Sequence, residues 1–591
     1  MTDDRTGLAP AWVAQTAVSY DELRFAQGAL WWLQSDPDND GRQRLMRRFA
    51  GSTLPVTTPE FPIGSRLHAY GGGSFVVAPD GVWFVSGGSL FHLPTGGTAV
   101  CVAPGDDGVQ YGDLALSWDG LLLAVRGDDA ADEIVSVSRT GHIEVLVRSS
   151  GFLASPRLAQ GRLAYLVWDR DQMPWDASRL LLAAVQPGTA TPNVVVAGGR
   201  QESVTQPSWG PDGRLHFMSD RTGWWNLYQW NGMAEAVAPV DADCAPAPWE
   251  GGYQSYGFTP HGEIVLTATD GIVTELLLVN GADRRRIGSN LTSIKPYVAA
   301  TEAAAAVIGS TASSSPAIWL VGLAAGSDGR ARPAAPDLSS PSPWTVPAPS
   351  VEVVETAGGP LRFLLHRPDG TGSAPLIVRA HPGPTDDVPL RLDWTTQFFV
   401  SHGFAVAEVL YRGSTGQGRN FRQSLHGHWG EYDAEDCAAA GEHLLAAGVA
   451  RPGALFISGA SAGGYTALRS ACRPGPFRAA TATSAIIDPA RWEKSVPPFQ
   501  RPHAAVLRGP TGAVATDDVR VPVLVIHGTA DTITSADDAR HFADALFARD
   551  QGHERLFLEG GDHYLSDPAS REQALAAELA FYQRIMRHGT G

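Results

Sequence analysis

Residues 454–463 read Ala-Leu-Phe-Ile-Ser-Gly-Ala-Ser-Ala-Gly, a short apolar strand running into Gly459-Ala460-Ser461-Ala462-Gly463. A helix-like stretch follows from Tyr465 to Cys472. A strand, a G-x-S-x-G turn and a helix in that order make a nucleophile elbow. The turn is too tight for flanking side chains, so glycine is needed at 459 and 463. Its strain lifts the Ser461 hydroxyl to the top of a sheet, at the N-terminus of a helix. A serine so placed implies acyl chemistry through a covalent intermediate.

A chain of 591 residues is too long for one ordinary domain. Hydrophobic residues at 43% can fill sizeable cores, while 65 glycines and 42 prolines predict many turns. The net charge of −17 argues against a general nucleic-acid binder. It fits a solubility role, and also a preference for cationic substrates such as free amines. Cys101, Cys244, Cys437 and Cys472 are far apart, so no metal knuckle or redox pair is read from them. A reduced, cytoplasmic protein is expected. Met1-Thr2-Asp3-Asp4-Arg5 is not followed by a signal-type apolar run, and no run reaches the ~18 residues of a membrane helix.

Proline density over 333–350 forbids helix and breaks sheet pairing, which marks a linker. The expected division is 1–345 for an N-terminal segment and β-domain, and 346–591 for an α/β domain. Ahead of the linker, turn signatures recur: Ala78-Pro79-Asp80-Gly81, Ser117-Trp118-Asp119-Gly120, Trp209-Gly210-Pro211-Asp212-Gly213 and Thr259-Pro260-His261-Gly262. Each precedes a β-rich run such as Val82–Val85 or Leu215–Met218. Their spacing is roughly a multiple of 45 residues, the length of a propeller blade. A β-propeller of about seven blades over residues 20–340 is therefore expected, with an irregular sandwich as the alternative. After the linker, apolar strands (375–380, 404–410, 454–458, 521–527, 554–557) alternate with helical segments (394–402, 434–447, 465–472, 535–549, 571–587). That pattern predicts a mostly parallel, doubly wound sheet.

In α/β-hydrolases the nucleophile is followed by an acid and then a histidine, each on a loop after a strand. Val521–Gly528 delivers Asp531, and Arg555–Leu558 leads to Gly560-Gly561-Asp562-His563. Ser461, Asp531 and His563 form the candidate triad. Asp537 and Asp538 fall inside the next helix, Asp562 is expected to point away or cap the last helix, and His527 reads as a structural hydrogen-bonding residue. His426 and His428 lack a third metal ligand. The oxyanion hole should combine the N–H of Ala462 with that of Gly383 in His381-Pro382-Gly383-Pro384, because neither proline can donate. Glu431, Asp433, Glu435 and Asp436 read as carboxylates favoured by a helix dipole.

These segments, with Tyr411-Arg412-Gly413-Ser414-Thr415-Gly416-Gln417-Gly418 and His527-Gly528-Thr529-Ala530-Asp531, resemble the prolyl oligopeptidase family of serine peptidases, in its acylaminoacyl-peptidase and aminopeptidase branch. Asp169–Asp176 and Ser219–Tyr228 are similar to propeller segments of that branch. The resemblance implies a seven-bladed propeller over the active site that admits short peptides, and no cofactor. Three departures stand out: Pro382 replaces the usual glycine, Gln417 stands where an aromatic is common, and 492–501 follows the branch's pattern only loosely. Glu250, Tyr411 and Trp492 are the substrate-binding candidates, Glu250 as the anion that an aminopeptidase needs for an α-ammonium group. The expected activity is hydrolysis of short peptides or aminoacyl compounds, of the aminopeptidase, acylaminoacyl-peptidase or oligopeptidase type. A carboxylesterase or amidase acting on a small molecule is the rival, and a binding protein with an inert hydrolase the third reading. No metal, nucleic acid or membrane is expected as a partner, and a homo-oligomer is left open.

Overall fold

A computed structural model describes residues 7–588 except 16–17, 36–40, 106–107, 187–188, 325–328, 336–343, 371 and 550–551. Met1–Arg5 and residues 336–343 of the expected linker lie outside the described residues. From Ser19 to Pro333 the chain forms seven four-stranded antiparallel sheets, each built from strands consecutive in sequence. All four predicted turns join the first and second strands of a blade, as where Ala78 pairs with Gly81. The first strands of neighbouring blades touch around most of the ring, so these turns occupy equivalent places in a propeller.

A repeated device links the blades. The first strands of five blades are bulged, and four of them place a non-glycine residue at positive φ: Glu22 (51°), Asp113 (47°), Ser155 (52°) and Gln206 (54°). Each such residue costs roughly 1–3 kcal/mol of backbone strain. Three of these side chains accept a backbone N–H from the following blade: Glu22 from Ser74, Asp113 from Ser155, and Gln206 from Ser255. The strain is thus offset by satisfied buried donors. First and seventh blades close the ring by apolar packing of Tyr20, Leu23 and Trp32 against Tyr297, Ile308 and Ile318. Lys295 Nζ adds a 2.6 Å bond to Asp21 across the same seam.

The second half is an α/β-hydrolase. Its eight-stranded sheet runs Ser350–Thr356, Gly359–His366, Ala405–Leu410, Ala374–Ala380, Ala450–Ala460, Ala479–Thr483, Val523–Gly528, Glu554–Leu558. The first two strands form an antiparallel hairpin at one edge, and the other six run parallel to one another. Side chains alternate between faces. Val378 and Ile457 enter one apolar cluster with helices Tyr432–Ala446 and Ala462–Ala471. Ile377 and Phe456 enter another with Trp394–Ser401 and Pro568–His588. Leu8 and Val13 belong to that second cluster. The segment with Leu8 and Val13 therefore packs with the hydrolase, although the sequence groups it with the propeller.

The Tyr411–Gly418 loop and the helix after it, Gly418–Gln423, form a joint between the two halves. Asp243 Oδ2 accepts the N–H groups of Gly416 and Gly418, both at 3.1 Å. A Cβ at Gly416 would lie 2.2 Å from the Gly271 backbone, so only glycine permits that approach. Asp220 Oδ2 receives Arg419 and Arg422, each at 2.7 Å, and Asp220 Oδ1 receives the Ser203 N–H. Arg422 also covers the Trp225 ring at 3.9 Å. Removing one partner of a buried ion pair strands the other charge. Asp220→Ala is expected to lower unfolding free energy by about 3–5 kcal/mol, measured by urea unfolding.

Candidate active site

Strand Ala450–Ala460 ends at the elbow, and helix Ala462–Ala471 begins one residue after Ser461. Ser461 has φ 52° and ψ −117°, a conformation that few L-residues tolerate. Added Cβ atoms at Gly459 and Gly463 would lie 2.1 Å and 2.4 Å from backbone oxygens, which explains both glycines. Gly464 is equally constrained, because its Cβ would meet that of Ala485 at 2.7 Å. The Ser461 N–H donates to Thr483 O, and its carbonyl accepts the Tyr465 N–H. The backbone is thus fixed without using the hydroxyl.

Asp531 leaves strand Val523–Gly528 and meets His563, which follows strand Glu554–Leu558. His563 Nδ1 lies 2.8 Å from Asp531 Oδ2. Asp531 Oδ1 accepts the N–H groups of Ile533 and Thr534 at 2.8 Å each, and the Thr534 hydroxyl sits 2.6 Å from Oδ2. Burial opposes ionisation of Asp531. The His563 and Thr534 bonds nevertheless hold its carboxyl below the usual aspartate range. His527 is fully buried, with Nε2 3.4 Å from Asp531 Oδ2. Burial pushes His527 down, so it stays neutral beside the carboxylate. Asp538 takes no part in this network; it pairs with Arg491. Asp562 Oδ1 accepts the Ser566 N–H ahead of the last helix.

The expected oxyanion hole is not assembled. The Ala462 N–H donates to Pro382 O at 3.1 Å. Every described peptide bond is trans, so the Gly383 N–H points opposite to the Pro382 carbonyl. The two expected donors therefore do not converge while Pro382 O occupies Ala462. Beneath this loop Tyr411 is fully buried, its ring stacked on His381 at 4.0 Å. Its hydroxyl lies 3.0 Å from His381 O and 3.2 Å from Gly383 O. Tyr411 is thus a support of the Gly383 loop, and the expected substrate contact is corrected: no face of it reaches a cavity. Burial pushes His381 down to about 3, which keeps this support neutral.

Trp492 is corrected on the same ground. It is buried against Trp429, and its indole N–H donates to Ile533 O at 3.1 Å, holding the Asp531 loop. Arg412, next to Tyr411, pairs with Asp436 at 2.9 Å. Asp433 accepts the Gly430 N–H. Both carboxylates are buried, and Asp433 stands in the first turn of helix Tyr432–Ala446.

Glu250 does face the site. A cavity of about 730 Å³ between propeller and hydrolase is lined by Glu250, Tyr70, Phe499, Ile533, His563 and Tyr564, among others. Burial, then the neighbouring Asp21 carboxylate, push Glu250 up to about 7, against the pull of Lys295. His426 stands 3.7 Å from Asp176 and His428 stacks on Tyr432, with no group of three or more metal-ligating side chains among the described residues.

Residues 390–589 match the sequence profile of the prolyl oligopeptidase family. This part of the chain is a prolyl oligopeptidase family domain. An acylamino-acid-releasing enzyme of Arabidopsis thaliana is 36% identical over 91 residues, which is 15% of this chain and 12% of that protein. Dipeptidyl aminopeptidase BIII of Pseudoxanthomonas mexicana is 32% identical over 102 residues, 17% of this chain and 15% of the relative. The matched segments thus span a small fraction of these curated relatives. The likeness in structure covers far more. A Mycobacterium tuberculosis puromycin-hydrolyzing peptidase superposes with a TM-score of 0.91 at 26% identity, over 98% of this chain and 96% of that one. Pyrococcus horikoshii acylaminoacyl peptidase gives 0.73 at 16% identity over 98% and 97%, which speaks for the fold alone. The hydrolase sheet and the propeller ahead of it therefore recur together in solved structures. No helix among the described residues is long and apolar enough to cross a membrane.

Proposed function

We propose that the protein is a serine peptidase that hydrolyses short peptides and aminoacyl amides with a free N-terminus. The observation that carries the chemistry is the strained Ser461 elbow in a fold that also orders a His563–Asp531 pair at 2.8 Å. His563, held by Asp531, takes the Ser461 proton as the hydroxyl attacks the carbonyl. The acyl group passes to Ser461, His563 protonates the leaving amine, and water releases the acid. The Ala462 N–H supports the oxyanion once the substrate oxygen replaces Pro382 O. Rotation of the 382–383 peptide, which glycine at 383 permits, adds the second donor. Each donor contributes about 3 kcal/mol to the transition state.

Glu250 supplies the preference for a free amine. The Mycobacterium tuberculosis structure is described as puromycin-hydrolyzing, so puromycin is a suitable probe beside alanyl p-nitroanilide. A carboxylate bonded to an ammonium group contributes about 2 kcal/mol, roughly 30-fold in kcat/KM. Glu250→Gln is expected to lose that factor on alanyl p-nitroanilide and little on its N-acetyl counterpart. The pH dependence has a defined sign. A carboxyl raised to about 7 is protonated below that pH and charged above it. The ratio of kcat/KM for free over acetylated substrate should rise between pH 6 and about 7.5, then fall as the substrate amine deprotonates near ~8. Taking the ratio cancels His563, which acts on both substrates. A flat ratio in the wild type contradicts the role of Glu250.

A further inference from the structure

The turn after His563 carries a large aromatic that the triad does not use. Leu565 has φ 49°, a left-handed conformation that a branched apolar residue adopts only when its surroundings impose it. Its side chain is buried in the core that contains Leu558, Leu575 and Tyr582. Asp562 fixes the turn from the other end: its carbonyl accepts the Leu565 N–H at 3.3 Å and its Oδ1 accepts the Ser566 N–H at 2.8 Å. With both ends fixed, Tyr564 projects outward. It is 63% exposed, and its ring meets the His563 ring edge-on, centroids 5.1 Å apart at 84°.

Tyr564 stands between two cavities. One is the interdomain space with Glu250 and His563. The other, of about 640 Å³, is lined by Pro382, Asp386, Asp387, Arg391, Gly459 and Ala460, among others, all from the hydrolase. Among the described residues Tyr564 alone lines both. An exposed phenol titrates at about 10, well above neutral pH. It therefore keeps its proton and offers a donor beside an aromatic face.

We propose that Tyr564 is a specificity-determining residue that receives the leaving group of the substrate. This rests on the peptidase reading above. Glu250 places the acyl part in the first cavity. His563 must reach the leaving nitrogen, so the leaving group crosses the His563 ring. What it meets next is Tyr564, at the opening to the second cavity.

The test uses substrates with one acyl group and different leaving groups: alanine methyl ester, alanyl-glycine amide and alanyl-phenylalanine amide. Tyr564→Ala is expected to lower kcat/KM for alanyl-phenylalanine amide at least 10-fold and to change the methyl ester less than 2-fold. The glycine amide should lie between, and Tyr564→Phe should retain most of the activity. The rate at which a fluorophosphonate labels Ser461 should be unchanged, showing that His563 is still in place. An equal fall on all three substrates, with slower labelling, would mean that Tyr564 only props His563, and overturns the proposal. So does an unchanged ratio among the three. Failure of the peptidase reading is distinct, because the wild type would then hydrolyse none of the alanyl amides.

Discussion

Ser461→Ala is expected to lower kcat on alanyl p-nitroanilide by roughly 10⁴–10⁶-fold, with the fold unchanged. The magnitude follows from the loss of the covalent route, since the remaining groups can only polarise the substrate and bind it. The intact fold follows from the elbow. Its strain resides in backbone angles that alanine shares with serine, and its N–H and carbonyl are bonded to Thr483 and Tyr465 irrespective of the side chain. The hydroxyl makes no helix-capping bond whose loss would unfold the turn. Stability should change by less than about 0.5 kcal/mol, read from urea unfolding. Residual activity above a few per cent would mean another nucleophile.

Asp531→Asn should be nearly as severe, about 10⁴-fold in kcat. The Ile533 and Thr534 N–H groups bond to Oδ1, so the asparagine oxygen is drawn to that side. Its amide then faces His563 Nδ1 and the Thr534 hydroxyl, where the carboxylate Oδ2 stood. A donor there obliges His563 to present a lone pair at Nδ1 and carry its proton on Nε2. In that tautomer His563 cannot accept the Ser461 proton. The neutral His527 beside Asp531 offers no substitute charge. Urea unfolding of the variant separates this from a folding defect, because a wrong tautomer leaves the cooperative transition in place. A loss below 10-fold would indicate that His563 is oriented by other means.

The order of Ser461, Asp531 and His563 was legible because each follows an apolar strand of ordinary composition. The propeller was legible from turns that all join the same pair of strands within their blades. Strand Ala479–Thr483 was not: Ala-Ala-Thr-Ala-Thr has little β-propensity, and only its burial between two parallel neighbours makes it a strand. The edge hairpin from Ser350 to His366 was obscured by the prolines just before it. Tyr411 lies in a loop whose glycine and serine content suits a tightly packed corner, and Gly416 there serves close approach to the propeller. The pairing of Arg422 with Asp220 joins residues 202 apart, a contact no local pattern announces. The state of the Pro382 carbonyl depends on one backbone torsion, which residue types leave free.

The central claim is that Ser461 is the group acylated during turnover. Titrating the protein with a fluorophosphonate, and mapping the adduct by mass spectrometry while following alanyl p-nitroanilide hydrolysis, tests it directly. The account predicts one adduct, on the peptide containing Ser461, with activity falling in proportion to its occupancy. Full labelling of Ser461 with hydrolysis undiminished, or turnover with no adduct at Ser461, would contradict it.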